Sequence, residues 1–392
     1  MADPRTTSPT GRPRARGLGI PFPGGTGPVN AITDVPGVEV GYTTLVSGEG
    51  PLRVGSGPVR TGVTALLPRG RAGVGVPCAA GWYSLNGNGE MTGTAWLQET
   101  GSLALPVVIT NTHAVGPCHR GVIDWVVAHA PEHARQWLLP VVAETWDGYL
   151  NDINGSHVQP AHAVAAIDGA APGPVAEGAV GGGTGMNCYE FKGGSGTASR
   201  VVGHGTATYT VGAFVQANFG SRAELTVAGV PVGRALAADN PLADTDWFAP
   251  PGAGSVIVVV ATDAPLLPGQ CTALARRVPL GLARTGTTGS HFSGDIFLAF
   301  STANTGALTS LFPLAPATDD DYESLRFVPW GRMDPFYEAV VHAVEEAVLN
   351  AVVAAEPMTG RDGHRSPGLP HADLVALLDA AGVRKPTEDL PG

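Results

Sequence analysis

Two apolar runs constrain the fold of this chain more than any other feature. Residues 256–260 are five consecutive β-branched residues, and residues 296–300 form a second run. Short continuous runs of this kind, bounded by glycine and polar residues, predict strands that are buried on both faces. Ser255 stands directly before the first run, and Ser293-Gly294-Asp295 stands before the second. The sequence therefore predicts polar side chains at the starts of two core strands.

Ser255 follows Gly254 at the start of the first strand. Glycine tolerates unusual backbone angles and lets another group approach its carbonyl closely. The Ser255 hydroxyl could attack the Gly254 carbonyl in an N-to-O acyl shift, and hydrolysis of the ester would free an N-terminal serine. The new amine can act as a base near neutral pH. On these residues alone, the alternative is a serine that closes a turn before a core strand.

Ser293 and Asp295 stand two residues apart, so a strand that starts there places them on the same face. A hydroxyl beside a carboxylate suits a relay next to a nucleophile. A polar strand start with an exposed aspartate has the same spacing, and the spacing alone does not separate the two interpretations.

Composition limits the class of protein. The chain has 392 residues, a net charge of −11 and 43% hydrophobic residues, which is enough for a large core. The acidic balance argues against nucleic acid and anionic membrane as partners. Four cysteines stand far apart without a CxxC pair, which favours free buried thiols. No apolar run reaches the length of a membrane span, and we expect a cytoplasmic protein.

The order of elements predicts an α/β fold. Residues 1–28 are rich in proline, glycine and arginine and are interpreted as a mobile arm or a surface strap, and residues 29–392 as one domain. Strands are predicted at 63–67, 72–76, 106–110, 141–144 and 209–218, and helices at 121–129, 265–277, 334–355 and 371–380. A proline-rich linker is predicted at 236–254. Paired strands separated by helices fit two packed sheets with helices outside, an αββα sandwich.

Further polar residues follow predicted strands or lie in glycine-rich loops. Glu144 ends a strand beside Trp146, where it either holds a substrate ammonium or pairs locally. Asn218 ends another strand, where its amide either donates to an oxyanion or closes a turn. The glycine-rich loop 86–101 lacks a phosphate-binding signature. A zinc site at His129 and His133 is not expected, because Pro131 separates them and no third ligand is near.

These stretches resemble the self-processing N-terminal-nucleophile serine aminopeptidases known as L-aminopeptidase/D-esterase and β-peptidyl aminopeptidase. The resemblance rests on residues 254–265 and 293–304, on the loop 86–101 and on the segments around Glu144 and Asn218. It covers residues 30–355 and implies the αββα architecture of that family.

The resemblance assigns roles residue by residue. It implies cleavage at Gly254-Ser255 into chains 1–254 and 255–392, with Ser255 as the nucleophile and Ser293 and Asp295 as its partners. It implies that Asn218 stabilises the oxyanion and that Glu144 holds the substrate ammonium. Trp146 stands where the family is expected to carry a tyrosine, so an indole N–H would replace a hydroxyl.

The predicted function is hydrolysis of N-terminal amide or ester bonds in peptides and aminoacyl compounds, with D- and β-amino acid substrates left open. No cofactor or metal is expected, and the resemblance implies a homo-oligomer of αβ units. One alternative is an acyltransferase like ornithine acetyltransferase, although that relative uses a threonine nucleophile. The other is a non-catalytic, intact precursor that acts as a binding protein.

Overall fold

The computed structural model describes residues 2–243, 254–313 and 315–385. The strands are β1 Glu39–Ser47, β2 Val59–Leu67, β3 Cys78–Ser84, β4 Ser102–Leu103, β5 Val107–Asn111, β6 Val141–Thr145, β7 Asn187–Cys188, β8 Phe191–Lys192, β9 Gly194–His204, β10 Ala207–Asn218, β11 Gly254–Thr262, β12 Ser293–Ser301, β13 Met358–Thr359 and β14 Arg365–Ser366. The helices are α1 Thr94–Thr100, α2 Val115–His129, α3 Pro160–Asp168, α4 Val232–Ala235, α5 Pro268–Ala275, α6 Val278–Arg284, α7 Asp334–Ala354 and α8 His371–Ala380.

Two mixed sheets form the centre of the described chain. A four-stranded sheet has the order β1-β2-β5-β6, and a six-stranded sheet has the order β4-β3-β12-β11-β10-β9. In the six-stranded sheet, β11 and β12 run parallel, while β10 runs antiparallel to β11. The last residue of β10 therefore lies beside the first residues of β11 and β12, at one end of these three strands.

Three hydrophobic clusters pack these sheets. One cluster contains side chains from both sheets, among them Leu66, Ile109 and Ala143 from the first and Phe214, Ile257 and Leu298 from the second. Another joins the first sheet to α2 and α3, and the third joins the second sheet to α5, α6 and α7. Side chains alternate along each strand, so each sheet buries one set in the shared cluster and the other against helices.

The predicted α/β fold is confirmed, and so are strands at 256–260 and 296–300. Several predicted elements are wrong in detail, among them the helix predicted at 265–277, which spans Pro268–Ala275. Residues 71–73 form a short 3-10 helix, and the strand predicted at 72–76 begins only at Cys78. Helix α2 begins at Val115 and not at Gly121, because Pro117 lies in its first turn, where no backbone N–H is required. Of the predicted linker 236–254, residues 244–253 lie outside the described residues.

The segment before Ala31 is packed against the domain through buried ion pairs. Arg14 Nε lies 2.8 Å from Glu177 Oε2, and Arg16 Nε lies 2.7 Å from Glu346 Oε1. All four side chains are at most 5% exposed. These contacts attach this segment, called the N-terminal strap below, to the rest of the chain.

Candidate active site

The ends of three neighbouring strands bring the predicted site residues together. Ser255 pairs with Asn218 across the antiparallel β10–β11 ladder and with Gly294 across the parallel β11–β12 ladder. Gly254 pairs with Ser293 in the same ladder. Ser255 and Ser293 are almost fully buried. The strand register therefore places the predicted nucleophile between the predicted oxyanion donor and the predicted relay.

The Ser255 hydroxyl faces the peptide bond that precedes it. Its Oγ donates to the carbonyl oxygen of Gly254 at 2.6 Å. A Cβ added at Gly254 would lie 1.9 Å from the carbonyl oxygen of Asn218, so no residue with a side chain fits there without movement of the backbone. The glycine thus allows the close approach of strands that sets the position of the Ser255 hydroxyl.

Ser293 and Asp295 are directly hydrogen bonded. The Ser293 hydroxyl donates to Asp295 Oδ1 in a short contact. Asn86 contacts the same aspartate twice, because its Nδ2 donates to Oδ2 at 3.1 Å and its Oδ1 accepts from the Asp295 backbone N–H at 2.6 Å. Burial raises the pKa of Asp295, while the hydrogen bonds from Ser293 and Asn86 act against that rise.

Asn218 is held with its amide in a defined orientation. Its Oδ1 accepts from the backbone N–H of Asn187 at 2.8 Å, and its Nδ2 donates to the carbonyl oxygen of Trp146 at 2.9 Å. A backbone N–H can only donate and a carbonyl can only accept, so these two partners fix which end of the amide is which. Trp146 enters this arrangement through its backbone carbonyl, and its half-buried ring lies beside Gly148.

Glu144 is the penultimate residue of strand β6, and its side chain is buried. Its Oε1 accepts from the backbone N–H of Glu90 at 2.8 Å, and its Oε2 accepts a short hydrogen bond from Thr112. Burial raises the pKa of Glu144, and these two donors act against the rise. Neither donor is a cation, so the carboxylate is oriented without being neutralised.

The glycine-rich loop joins Glu144 to the six-stranded sheet. A Cβ at Gly89 would lie 2.9 Å from Gly294 Cα and 3.3 Å from Glu144 Oε1. In the same loop Asn86 contacts Asp295, and Asn88 Nδ2 donates to the carbonyl of Phe292 at 2.9 Å. Gly89 therefore allows the loop to pass between the Glu144 carboxylate and the backbone at the start of β12.

Sequence reasoning missed three residues of this arrangement: Asn86, Thr112 and Asn187. Asn86 begins the loop that the sequence singled out, and Thr112 follows strand β5, so polar residues at loop and strand ends were the available signal. Asn187 acts through its backbone N–H, which no side-chain pattern reveals.

The remaining predictions concern metal, thiols and membrane. Within the described residues, no group of three or more metal-ligating side chains is clustered. His129 Nδ1 contacts the carbonyl of Trp125 at 3.0 Å. All four cysteines are free and buried. No helix among residues 2–243, 254–313 and 315–385 combines the length and apolar character of a bilayer crossing.

A cleft of about 380 Å³ lies next to β6. Among the residues that line it are Trp96, Trp137, Val141 and Leu311. Trp137 packs edge-on against Trp96 and Phe312, with ring centroids 5.4 and 4.8 Å apart. Val141 starts the strand that carries Glu144, three residues away, or about 10 Å at the usual rise per residue.

The chain is similar over nearly its whole length to proteins named β-peptidyl aminopeptidase. It is 52% identical over 374 residues to the β-peptidyl aminopeptidase BapA of Sphingosinicella microcystinivorans, covering 93% of this chain and 92% of that protein. It is 46% identical to BapA of Sphingosinicella xenopeptidilytica over 381 residues, which are 95% of this chain and 92% of the relative.

A solved structure agrees with these relatives. The L-aminopeptidase D-Ala-esterase/amidase of Ochrobactrum anthropi, described as a prototype of the serine aminopeptidases and a variant of the Ntn hydrolase fold, matches with a TM-score of 0.87 and 46% identity. That match covers 95% of this chain and all of the other. The profile of peptidase family S58 matches residues 30–366. The suspected resemblance is thereby confirmed, and the chain belongs to peptidase family S58.

Proposed function

We propose that this chain is a self-processing serine aminopeptidase whose nucleophile is Ser255. The observation that carries the proposal is the 2.6 Å hydrogen bond from Ser255 Oγ to the carbonyl oxygen of the preceding residue, Gly254. It places the hydroxyl next to the carbonyl that it must attack, in a register that also contains Asn218 and Ser293. Family membership supports a peptidase, and the serine chemistry is our inference.

Self-cleavage follows from this placement. Ser255 Oγ adds to the Gly254 carbonyl carbon, the C–N bond breaks, and the hydroxyl proton ends on the departing Ser255 nitrogen. Water then hydrolyses the ester, which leaves a carboxylate on Gly254 and returns the hydroxyl to Ser255. The products are an α chain, 1–254, and a β chain, 255–392, whose first residue carries both hydroxyl and amine.

The same groups serve the catalytic cycle. The free amine of Ser255, or the Ser293–Asp295 pair, accepts the hydroxyl proton during attack on the substrate carbonyl. Asn218 donates to the oxyanion, and loss of one such donor typically costs about 3–4 kcal/mol of transition-state stabilisation. Trp146 contributes the carbonyl that orients Asn218, and its indole is a second candidate donor. No step requires a metal or a cofactor.

The substrate class follows from Glu144. A buried carboxylate whose two hydrogen-bond donors are uncharged favours binding of the ammonium of an N-terminal residue. Relatives are named for β-peptidyl and for L-aminoacyl and D-alanyl substrates, so we propose peptides and aminoacyl amides or esters, β-amino acids included.

We also assign the four layers to an αββα sandwich, which the cluster shared by both sheets and the helices on their outer faces support. Assembly of several αβ units and a cytoplasmic location stay predictions.

Intact mass spectrometry of the purified protein tests self-processing directly. We expect two species that correspond to residues 1–254 and 255–392, and a single uncut species for Ser255→Ala. Ser56→Ala is a matched control, because Ser56 is exposed and lies in the turn before β2, a strand of the other sheet. Fully active protein of uncut mass would reject the proposal.

A second assay separates hydrolysis from acyl transfer. Aminoacyl anilides with α- and β-amino acid residues are incubated with processed enzyme, with and without an added amine acceptor. Release of free amino acid at a rate independent of the acceptor supports the peptidase. Product formation that requires the acceptor would favour the acyltransferase alternative, and inactivity of intact protein would favour the non-catalytic one.

A further inference from the structure

Lys192 is a buried cation outside the site residues described above. Its side chain is fully buried in strand β8. Its Nζ donates to the carbonyl oxygens of Met186 at 2.6 Å and Gly193 at 2.9 Å. Burial lowers the pKa of Lys192 to about 7, while Cys188 and Asp147 act in the opposite direction. A buried ammonium is unfavourable unless it is compensated, so backbone carbonyls are the main direct compensation here.

The Met186 carbonyl links Lys192 to the site. It belongs to the same peptide unit as the backbone N–H of Asn187, and the two groups point in opposite directions across a planar trans peptide. The ammonium and the Gly193 N–H both donate to this carbonyl, the latter at 2.9 Å. The orientation of the Met186 carbonyl therefore determines where the Asn187 N–H points.

The Asn187 N–H donates to Asn218 Oδ1 at 2.8 Å. That bond turns the Asn218 nitrogen to the other side, where it meets the Trp146 carbonyl at 2.9 Å. Donation to one end of a peptide unit also polarises it and strengthens donation from the other end. A continuous series of hydrogen bonds thus runs from the Lys192 ammonium to the side-chain amide of Asn218. Asn218 is the residue that pairs with Ser255 across the β10–β11 ladder.

The opposite side of Asn218 carries a buried carboxylate. Asp147 shares a peptide unit with the Trp146 carbonyl, is fully buried, and has an Oδ2 without a hydrogen-bond partner in the described part of the chain. A Cβ at Gly185 would lie 2.8 Å from Asp147 Cβ, so the loop that Lys192 holds packs directly on this residue. Lys192 and Asp147 therefore lie next to the two hydrogen-bond partners of the Asn218 amide, the Asn187 N–H and the Trp146 carbonyl.

We propose that Lys192 is a positioning residue for oxyanion stabilisation: its ammonium fixes the Met186–Asn187 peptide so that Asn218 presents its amide N–H to the substrate carbonyl at Ser255. This inference rests on the proposed function of Asn218. Lys192 contacts no substrate and acts only through the amide.

A double-mutant cycle tests this route. Lys192→Met keeps the length of the side chain and removes the ammonium, and it is combined with Asn218→Ala. Rates are measured with an activated aminoacyl ester and divided by the concentration of processed enzyme from intact mass. We expect Lys192→Met to lower kcat by about 10- to 100-fold when Asn218 is present, with little change in KM. In the Asn218→Ala background we expect a further loss of less than about threefold.

A structural role would give a different pattern, because its effect would be the same in both backgrounds. Arg16→Met is the matched control, since it also removes a buried cation but lies in the N-terminal strap. It should leave the kcat of processed enzyme within about twofold in either background. If Lys192→Met does not accumulate folded, Lys192→Gln replaces it in the cycle and retains one donor to the same carbonyls.

The outcomes separate the two proposals. Effects that multiply, with Asn218→Ala still strongly impaired, would overturn the role of Lys192 and leave the proposed function intact. An Asn218→Ala enzyme as active as the parent protein would overturn the oxyanion role of Asn218 and with it the role of Lys192.

Discussion

The Glu144 carboxylate is buried and held in a fixed orientation, which supports the proposed binding of a substrate ammonium. Its two oxygens are oriented by the Glu90 N–H and by Thr112, and burial raises its pKa because the charged form is poorly solvated. Two neutral donors orient the group without forming an ion pair with it. A substrate ammonium would supply an ion pair, so the proposed role of Glu144 in ammonium binding predicts selectivity for a free N-terminus.

Glu144→Gln should therefore reduce kcat/KM for an aminoacyl anilide by about 10- to 100-fold, the range expected for a hydrogen bond to a charged group. The same variant should cause little change with a substrate that lacks the amine, because that substrate never uses the charge. Initial rates on the two substrates give the comparison. Glu99→Gln, an exposed carboxylate in α1, is the control. Equal losses on both substrates would contradict ammonium binding.

Asp295 has a raised pKa, and the direction of that shift predicts the acid side of the pH profile. Burial is the cause, because it disfavours the carboxylate. As pH falls through this raised pKa, Asp295 gains a proton and can no longer accept from Ser293 as a carboxylate. The kcat of processed enzyme should fall at a higher pH than an ordinary aspartate would give. Asp295→Asn should be strongly impaired and lack this acid limb.

A pH series of kcat for the parent and for Asp295→Asn gives the measurement, with Asp320→Asn as an exposed control. An acid limb that persists unchanged in Asp295→Asn would assign it to another group.

The pairing of Ser293 with Asp295 could be predicted from the alternation of side chains along a strand. The contact of Asn86 could not, because it joins residues that lie 209 positions apart in the chain.

Strands β11 and β12 start side by side, and each has a glycine among its first two residues that packs against the backbone of another segment. Gly254 lies against the Asn218 carbonyl, and Gly294 lies against the Asn88 carbonyl. These close approaches bring strand β10 and the loop 86–90 onto the two strand starts. The positions of the site residues thus require glycine at 254 and at 294, because a side chain at either position would collide with neighbouring backbone.

Gly294→Ala tests this dependence. The added Cβ would lie 2.4 Å from the Asn88 carbonyl oxygen and 2.6 Å from Gly89 Cα, so the loop 86–90 must move. Because the loop also holds Glu144 and Asp295, we expect self-cleavage to slow and kcat/KM to fall by about tenfold or more. Gly203→Ala in β9 meets no atom within 4 Å and should behave as the parent protein. Full activity of Gly294→Ala would show that the loop adapts without consequence.

Elements with strong local patterns could be predicted from the sequence, and boundaries set by tertiary contact could not. The β-branched run in β11 and the apolar stripe of α7 identified those elements, and α7 ends within one residue of the predicted boundary. The segment 72–76 has the apolar character of a strand but precedes the residues that pair, since pairing with β4 begins at Cys78 and pairing with β12 at Ala79. Pairing partners, which no local pattern encodes, decided where that strand starts.

At the scale of the whole molecule, the N-terminal strap is joined to the domain by a buried group of charges. Glu346 in α7 accepts from Arg16 in the strap and from Arg200 in β9, at 2.7 Å in each case. Asn30 Nδ2 also donates to Glu346 Oε1, at 2.6 Å. The Glu346 carboxylate therefore connects the N-terminal strap to β9 and to α7, the longest helix described. The stability of the fold should depend on the charge of this carboxylate.

The pKa of Glu346 predicts how that dependence changes with pH. Burial would raise the pKa, but Arg200 and Arg16 lower it from 4.5 to about 2. A carboxyl with a depressed folded-state pKa contributes stability that is complete above its unfolded pKa and is lost as pH falls toward the folded value. The contribution should be complete at pH 7 and decline progressively below about pH 4.5.

Glu346→Gln should lower the free energy of unfolding at pH 7 by about 3–5 kcal/mol, because it leaves two buried guanidinium groups without their carboxylate. The difference between parent and variant should shrink clearly at about pH 3, since the parent has by then lost much of the contribution. Urea unfolding at both pH values, in the uncut Ser255→Ala background so that a single chain unfolds, measures the difference. Glu49→Gln, an exposed carboxylate, is the control. A difference of equal size at both pH values would show that the Glu346 contacts stabilise the fold through packing and not through charge.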